Sequence, residues 1–336
     1  VSRANRFGLL FGVFTFIVGI CGMALMQMAP PEGPMPPPES PSTAVVDAGG
    51  PPAPSEDAGP PEAPQRVLGQ FTTRFKAGPK YVGRGTNIRL LADKLHRTVL
   101  KPGQEFSFNK GVGPRTEKEG YQPAPTYFLG EVIPGIGGGS CQVSSTLYAA
   151  LVHANVEILD RRPHSRASSY IKPGLDATVN YPPECWDAKK PDKRICFDLV
   201  FRNPYDFNPY DFPLTIEFDI GDDIKDGKRT LSALVLGTGE SPKVTTAWRP
   251  SSTTPFKTRY RRVSWWKDSR KKLSQSGRLG VQGYRILTIE HADGRRETKR
   301  VLSRYQPVPE VYKVGMEFEK PEEPDAGAIS PPPDAG

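Results

Sequence analysis

Histidine and cysteine are scarce in this 336-residue sequence, with four of each. Among His96, His153, His164, His291 and the cysteines no CxxC or HxxxH spacing occurs, so neither a zinc site nor any other metal or cofactor is expected. Charge is absent where it bears on location. Residues 7–28, FGLLFGVFTFIVGICGMALMQM, carry none, and a run of that length can cross the roughly 30 Å hydrocarbon core as one helix. Arg3 and Arg6 precede it, which favours a cytoplasmic N-terminus and an extracytoplasmic location for the rest. A cleaved secretory signal would begin similarly, but no small-x-small cleavage site follows. Cys21 follows Ile20 rather than the small residue of a lipoprotein signal, so it reads as part of the membrane helix. The expectation is a single-pass cell-membrane protein, anchored through residues 1–29.

Bases are missing from the next stretch. Between Ala29 and Gln65 there are six acids, no Lys or Arg, and a preponderance of Pro, Ala and Gly, a composition that cannot bury a core. Residues 30–66 are therefore expected to be an extended linker, and 319–336, of the same character, a disordered tail. Two folded units are expected between them, 67–220 and 225–318. The chain as a whole carries +8, yet linker and tail are acidic, so the folded part is more basic than that total. Most of the excess lies between Lys225 and Arg304, in runs such as KTRYRRVSWWKDSRKK. Such a face can simply be solvated. It also suits an anionic envelope polymer, whereas nucleic acid is not expected outside the membrane.

In TNIRLLADKLHRTVL, 86–100, Ile88, Leu91, Leu95 and Val99 recur at helical spacing, with Thr86 or Asn87 available as N-cap. APTYFLGEVIPGIGGGS reads as a hairpin running into a glycine loop. Past the loop, Val143, Leu147 and Leu151 fall four apart, so 141–154 is expected to be a helix with Cys141 in its first turn. There, free N–H groups and the positive end of the helix dipole stabilise an anion, which lowers a thiol pKa and offers donors to an oxyanion. Gly137, Gly138 and Gly139 permit unusual backbone angles and leave room for a substrate beside the sulfur. A cysteine so placed is a nucleophile, a disulfide partner or an inert residue, and these neighbours favour the first. Ser144 and Ser145 read as helix-surface or capping residues.

A thiolate nucleophile needs a base. His153 lies twelve residues along the same helix, about 18 Å away. His164 can return to the helix start, because VEILDRRPH has the reach of an extended strand. Asp176, in PGLDATVNY, follows shortly after and is the candidate orienting acid, although an acid at a turn is often a local cap. Cys185 and Cys196 bracket a polar loop; pairing them leaves Cys141 free, and an exported location permits the bond.

VLKPGQEFSFNKGVGPRTEKEGYQPAP, then GEVIPGIGGGSCQVSSTLYAALVHANVEILDRRPHS and PGLDATVNY, closely resemble the VanW domain over about residues 70–219. The resemblance implies an α+β fold, a nucleophile-bearing helix against an antiparallel sheet, in a family named for an accessory protein of vancomycin-resistance clusters. It further implies a role on peptidoglycan, through L,D-transpeptidase-like acyl transfer with Cys141 as nucleophile and His164 as its partner. Ser140, Gln142 and Ser165, beside these motif positions, are then expected with the three glycines to bind substrate. A non-catalytic peptidoglycan- or glycopeptide-binding protein is the alternative. The Cys185–Cys196 segment and the tandem NPYDFNPYDF depart from the usual pattern. The C-terminal stretch, with DGRRE and YQPVPEVYKVG, resembles the small all-β G-five module, associated with cell-surface glycan adhesion. Trp265 and Trp266 could stack on sugars, but adjacent strand residues face opposite sides.

Overall fold

The computed structural model describes residues 65–128, 131–186, 192, 194–204, 213–238 and 241–321. The expected membrane segment, nearly all of the linker, residues 205–212 of the tandem repeat and most of the tail lie outside these. Among the described residues no helix is long and apolar enough to cross a membrane. The architecture is mixed α and β. In chain order come β1 (Arg66–Lys76), α1 (Val82–Leu95), β2 (Thr98–Leu100), β3 (Glu105–Ser107), α2 (Phe108–Val112), β4 (Pro123–Phe128), β5 (Glu131–Ile136), α3 (Ser140–His153) and β6 (Glu157–Asp160). After a long irregular stretch follow β7 (Val200–Arg202), β8 (Leu214–Ile220), β9 (Lys228–Gly237), β10 (Lys243–Thr254), β11 (Thr258–Arg262), β12 (Lys271–Gln275), β13 (Gly280–Glu290), β14 (Arg296–Tyr305) and β15 (Glu310–Val314).

The helix expected over 86–100 begins earlier and stops at Leu95. His96 is extended and Arg97 left-handed (φ 60°), so the chain turns, and Thr98–Leu100 pairs with β8 instead. The main sheet is antiparallel in the order β1-β9-β8-β2. Leu231, Ala233 and Val235 alternate along β9 into the core, as a strand with one buried face requires. The boundary expected at 220–225 therefore falls in the turn of a hairpin whose two strands share one sheet.

Helix α3 packs on β1 and β9, with α1 also against it. Gly69 makes the approach possible, since a Cβ there would lie 2.5 Å from the Ala150 carbonyl oxygen. From Gln142 to Val152 every residue of α3 is buried, so it is a central helix rather than a half-exposed one. Its polar residues are satisfied internally: Thr146 shares a hydrogen bond with Thr73 (2.8 Å), while Ser144 and Ser145 donate to the Ala177 carbonyl (2.8 and 3.2 Å). These serines are thus buried staples that hold the 177–179 segment on the helix, not surface residues.

Among the described residues the regular structure of the C-terminal region is strand, with an antiparallel β10-β13-β14 sheet and a β11-β15-β12 sheet in which β11 and β15 run parallel. Trp265 and Trp266 sit in the turn after β11, not in a strand; Trp265 is exposed and Trp266 lies near Arg270.

Candidate active site

The glycine loop is built by backbone demands. Gly137 (φ 77°) and Gly139 (φ 122°) adopt angles that side chains disfavour, and a Cβ on Gly138 would meet the Ala124 carbonyl oxygen at 2.8 Å. Asn87, inside α1 rather than at its N-cap, clamps the loop: its Nδ2 donates to the carbonyls of Gln122 (2.8 Å) and Gly138 (3.1 Å), and its Oδ1 accepts from Gln122 N–H (2.8 Å). The three glycines are buried beneath Ile88, Arg115 and Ala124, so they shape the loop rather than form an open face. Ser140 Oγ donates to the Gly137 carbonyl (2.7 Å). The Gln142 amide accepts from Arg84 (2.8 Å) and donates to Thr73 Oγ1 (3.0 Å) and the Arg74 carbonyl (3.1 Å). Both side chains are occupied within the fold. Ser165 is exposed beside His164.

Cys141 stands in the first turn of α3, half-buried. Ser140 N–H donates to Gly137 and Gln142 N–H to Gly139 (3.2 and 2.9 Å), bonds in which the N–H of Cys141 takes no part. Its thiol donates to the Val179 carbonyl at 3.5 Å, and electrostatically it is coupled to the His164 imidazole. On the far side of that ring, Nδ1 is 2.7 Å from Asp176 Oδ2, which also accepts the His164 backbone N–H at 2.6 Å. His164 is thus fixed by Asp176, and its charge acts on the Cys141 thiol. Tyr170 closes its flank, with its hydroxyl 3.1 Å from His164 Nε2 and donating to the Cys141 carbonyl at 3.2 Å.

Electrostatics favour the charged pair. Burial pushes the Cys141 thiol up, but the hydrogen bond and charge of His164, helped by the charge of Arg115, outweigh it and hold the thiol below its ordinary value. Burial pulls His164 down, yet the bonds to Asp176 and Cys141 raise it to about 9. Asp176 is only 2 % exposed; burial opposes its charge, while the bond and charge of His164, then Arg161 and Tyr305, hold it well below the carboxylate range. An imidazolium with both N–H groups used, one toward Asp176 and one toward the Tyr170 hydroxyl, satisfies this geometry.

The remaining histidines have structural partners. His96 Nδ1 accepts from Phe218 N–H (3.1 Å), His153 stacks on Phe71, and His291 pairs with Glu297 (2.9 Å). Cys185 is bonded to Cys196, with Cα atoms 5.8 Å apart, and the loop leaves from the Asn180–Phe197 bridge just beyond Val179. Several site residues escaped the sequence reasoning. Arg161 reaches Asp176 Oδ1 at 3.0 Å, and Tyr305 donates to the same oxygen at 2.5 Å. Arg115 packs on Gly137 and donates through Nη2 to Asn109 (2.8 Å), while its buried Nη1 has no hydrogen-bond partner. Only the nearness of Arg161 to His164 in the chain was a signal; nothing local marked the others.

The family model described as "VanW like protein" matches residues 83–217. The uncharacterized protein YoaR of Bacillus subtilis (strain 168) is 45% identical over 114 residues, 34% of this chain and 37% of that protein. The vancomycin B-type resistance protein VanW of Enterococcus faecalis is 32% identical over 126 residues, 36% of this chain and 41% of that protein. The chain thus spans about two fifths of these relatives. The structure titled "IgA1 Protease G5 domain structure" aligns with 23% of this chain and 93% of its own, at 14% identity and a TM-score of 0.16. Cys141, His164 and Asp176 all lie within residues 83–217, the stretch that the VanW-like family model matches.

Proposed function

We propose that this chain remodels peptidoglycan by acyl transfer between stem peptides, in the manner of an L,D-transpeptidase. The observation that carries this is Cys141 in the first turn of a helix, with its thiol held down by the charge of a His164 that Asp176 fixes at 2.7 Å. The Cys141 thiolate attacks a stem-peptide carbonyl carbon, and the N–H of Cys141 faces the developing oxyanion. His164 Nε2 gives its proton to the leaving amine as the C–N bond breaks, leaving a thioester. A second amine attacks the thioester and returns a proton to His164, and the thiolate departs. The name of the VanW relative, which refers to vancomycin resistance, supports a wall substrate. The proposed setting is the outer face of the cell membrane, with residues 7–28 as anchor and the basic strands after Lys225 turned to an anionic wall polymer.

Incubating the protein with muropeptides and analysing the products by mass should reveal exchanged or cross-linked stems, and none with Cys141→Ala. Muropeptides retained without turnover by the folded protein would overturn the enzyme and establish the binding protein in its place.

A further inference from the structure

His164 and Asp176 lie on a stretch, 161–176, that forms no helix or strand. Irregular backbone must find its hydrogen-bond partners elsewhere, and much of what holds this stretch comes from β13, β14 and the residue after β14. Ser303 and Tyr305 alternate onto the same buried face of β14, at 1 % and 3 % exposure. Tyr305 donates to Asp176 Oδ1 (2.5 Å) and accepts from Gly174 N–H (2.6 Å). Ser303 Oγ accepts from Arg161 Nη1 (2.9 Å), and the same guanidinium reaches Asp176 Oδ1 through Nη2. On β13, Arg285 Nε donates to the Pro173 carbonyl (3.0 Å), and just past β14 Gln306 N–H donates to the Ser165 carbonyl (2.7 Å).

Within the carboxylate the two oxygens are divided. Oδ1 accepts from Arg161, Gly174 and Tyr305, whereas Oδ2 accepts both donors of His164. A carboxylate anchored through one oxygen presents the other in a fixed direction. We propose that the C-terminal β-module completes the catalytic unit, with Tyr305 as a positioning residue that aims Asp176 at His164. The module proposed above to face the wall is then also a structural part of the thiol's activation. This rests on the reading proposed above but is testable without any substrate. The Tyr305 hydroxyl is fitted to the task, because burial and the neighbouring Asp176 charge raise its pKa and keep it a donor.

The experiment is iodoacetamide alkylation of Cys141 in the full chain, followed by mass analysis of its peptide across pH. Tyr305→Phe keeps the ring and removes the donor. Alkylation near neutral pH should slow by about five-fold, because the imidazolium is less well held and thiolate is lost, while the rate at strongly alkaline pH, where the thiol is fully ionised, stays unchanged. In an Asp176→Asn background the same substitution should add nothing, since there is no carboxylate left to aim. Ser303→Ala, which frees Arg161, should shift the profile in the same direction by less and supplies the test if Tyr305→Phe does not fold. An unmoved profile in folded Tyr305→Phe, an equal slowing in both backgrounds, or an unmoved Ser303→Ala profile where that variant is the test would overturn the proposal. Absence of acyl transfer by the wild type would remove the function proposed above and leave this result standing.

Discussion

The region up to Gly237 and the strands from Lys243 onward differ in where they bury polar groups. The first buries many, among them Thr73, Asn87, Gln142, Ser144, Ser145, Thr146 and Asp176, nearly all around α3 and its loop. Among the described residues of the second, the buried polar ones are Arg285 and Ser303, and both bond to residues between 161 and 173. A buried polar group left unpaired costs about 1–3 kcal/mol, so networks of this kind persist where geometry must be held. Precision is thus concentrated around Cys141 in the first region, and in the second it is confined to the joint. The exposed basic face of the second region has no such constraint.

If this contrast is right, the largest effect belongs to the sulfur. Cys141→Ala should leave the circular dichroism spectrum unchanged and abolish acyl transfer; undiminished turnover would end the proposed mechanism. Next comes its partner. His164→Ala should lower turnover by about 10²–10⁴-fold and move the alkylation profile of Cys141 to higher pH, whereas His153→Ala, stacked on Phe71 at the other end of α3, should leave the profile in place.

The same histidine ties stability to pH. Its pKa is raised from the ordinary 6.5 to about 9, so the stability it contributes is fully present below about pH 6.5 and lost as pH rises through about 9. That contribution is at most about 3 kcal/mol. Urea unfolding at neutral pH and near pH 10 should show the loss in wild type and a much smaller one in His164→Ala. Asp176 acts in the opposite sense: with its pKa depressed, its contribution is present above the ordinary carboxylate range and disappears in acid as pH falls through the lowered value.

A smaller effect is expected at Arg115, whose charge lowers the Cys141 thiol from a distance. Arg115→Met should raise that pKa and slow alkylation at neutral pH by about two- to three-fold, with loss of the Asn109 bond costing about 1 kcal/mol of stability in urea titration. Smallest should be changes on the basic face. Retention of the protein by intact sacculi should weaken as salt rises, and replacing Arg259 and Arg261 by Gln should weaken it further without altering Cys141 alkylation. A shift in alkylation there would erase the contrast between the two regions.

Much of the candidate site is legible in the sequence. The apolar period of four after Cys141 specifies α3, the glycines announce a strained loop, and the pairing of Cys185 with Cys196 follows from leaving Cys141 free. His164 and Asp176 were within reach because a helix and a returning strand bring their segment back to the helix start. These are short-range consequences, encoded in spacing and in what each residue type can do with its own backbone. The sequence misled where burial reverses an expectation. Ser144, Ser145 and Gln142 look like surface or ligand-binding residues, but the 177–179 segment and β1 cover them and take up their hydrogen bonds. What only the tertiary structure decided is the outer support: Asn87 on the glycine loop, Arg115 beside it, β9 inside the first sheet, and Tyr305 on Asp176, 129 residues away in the chain. No local pattern carries such a contact, because a hydrogen bond between distant residues exists only once the packing of every intervening element has brought donor and acceptor within 3 Å.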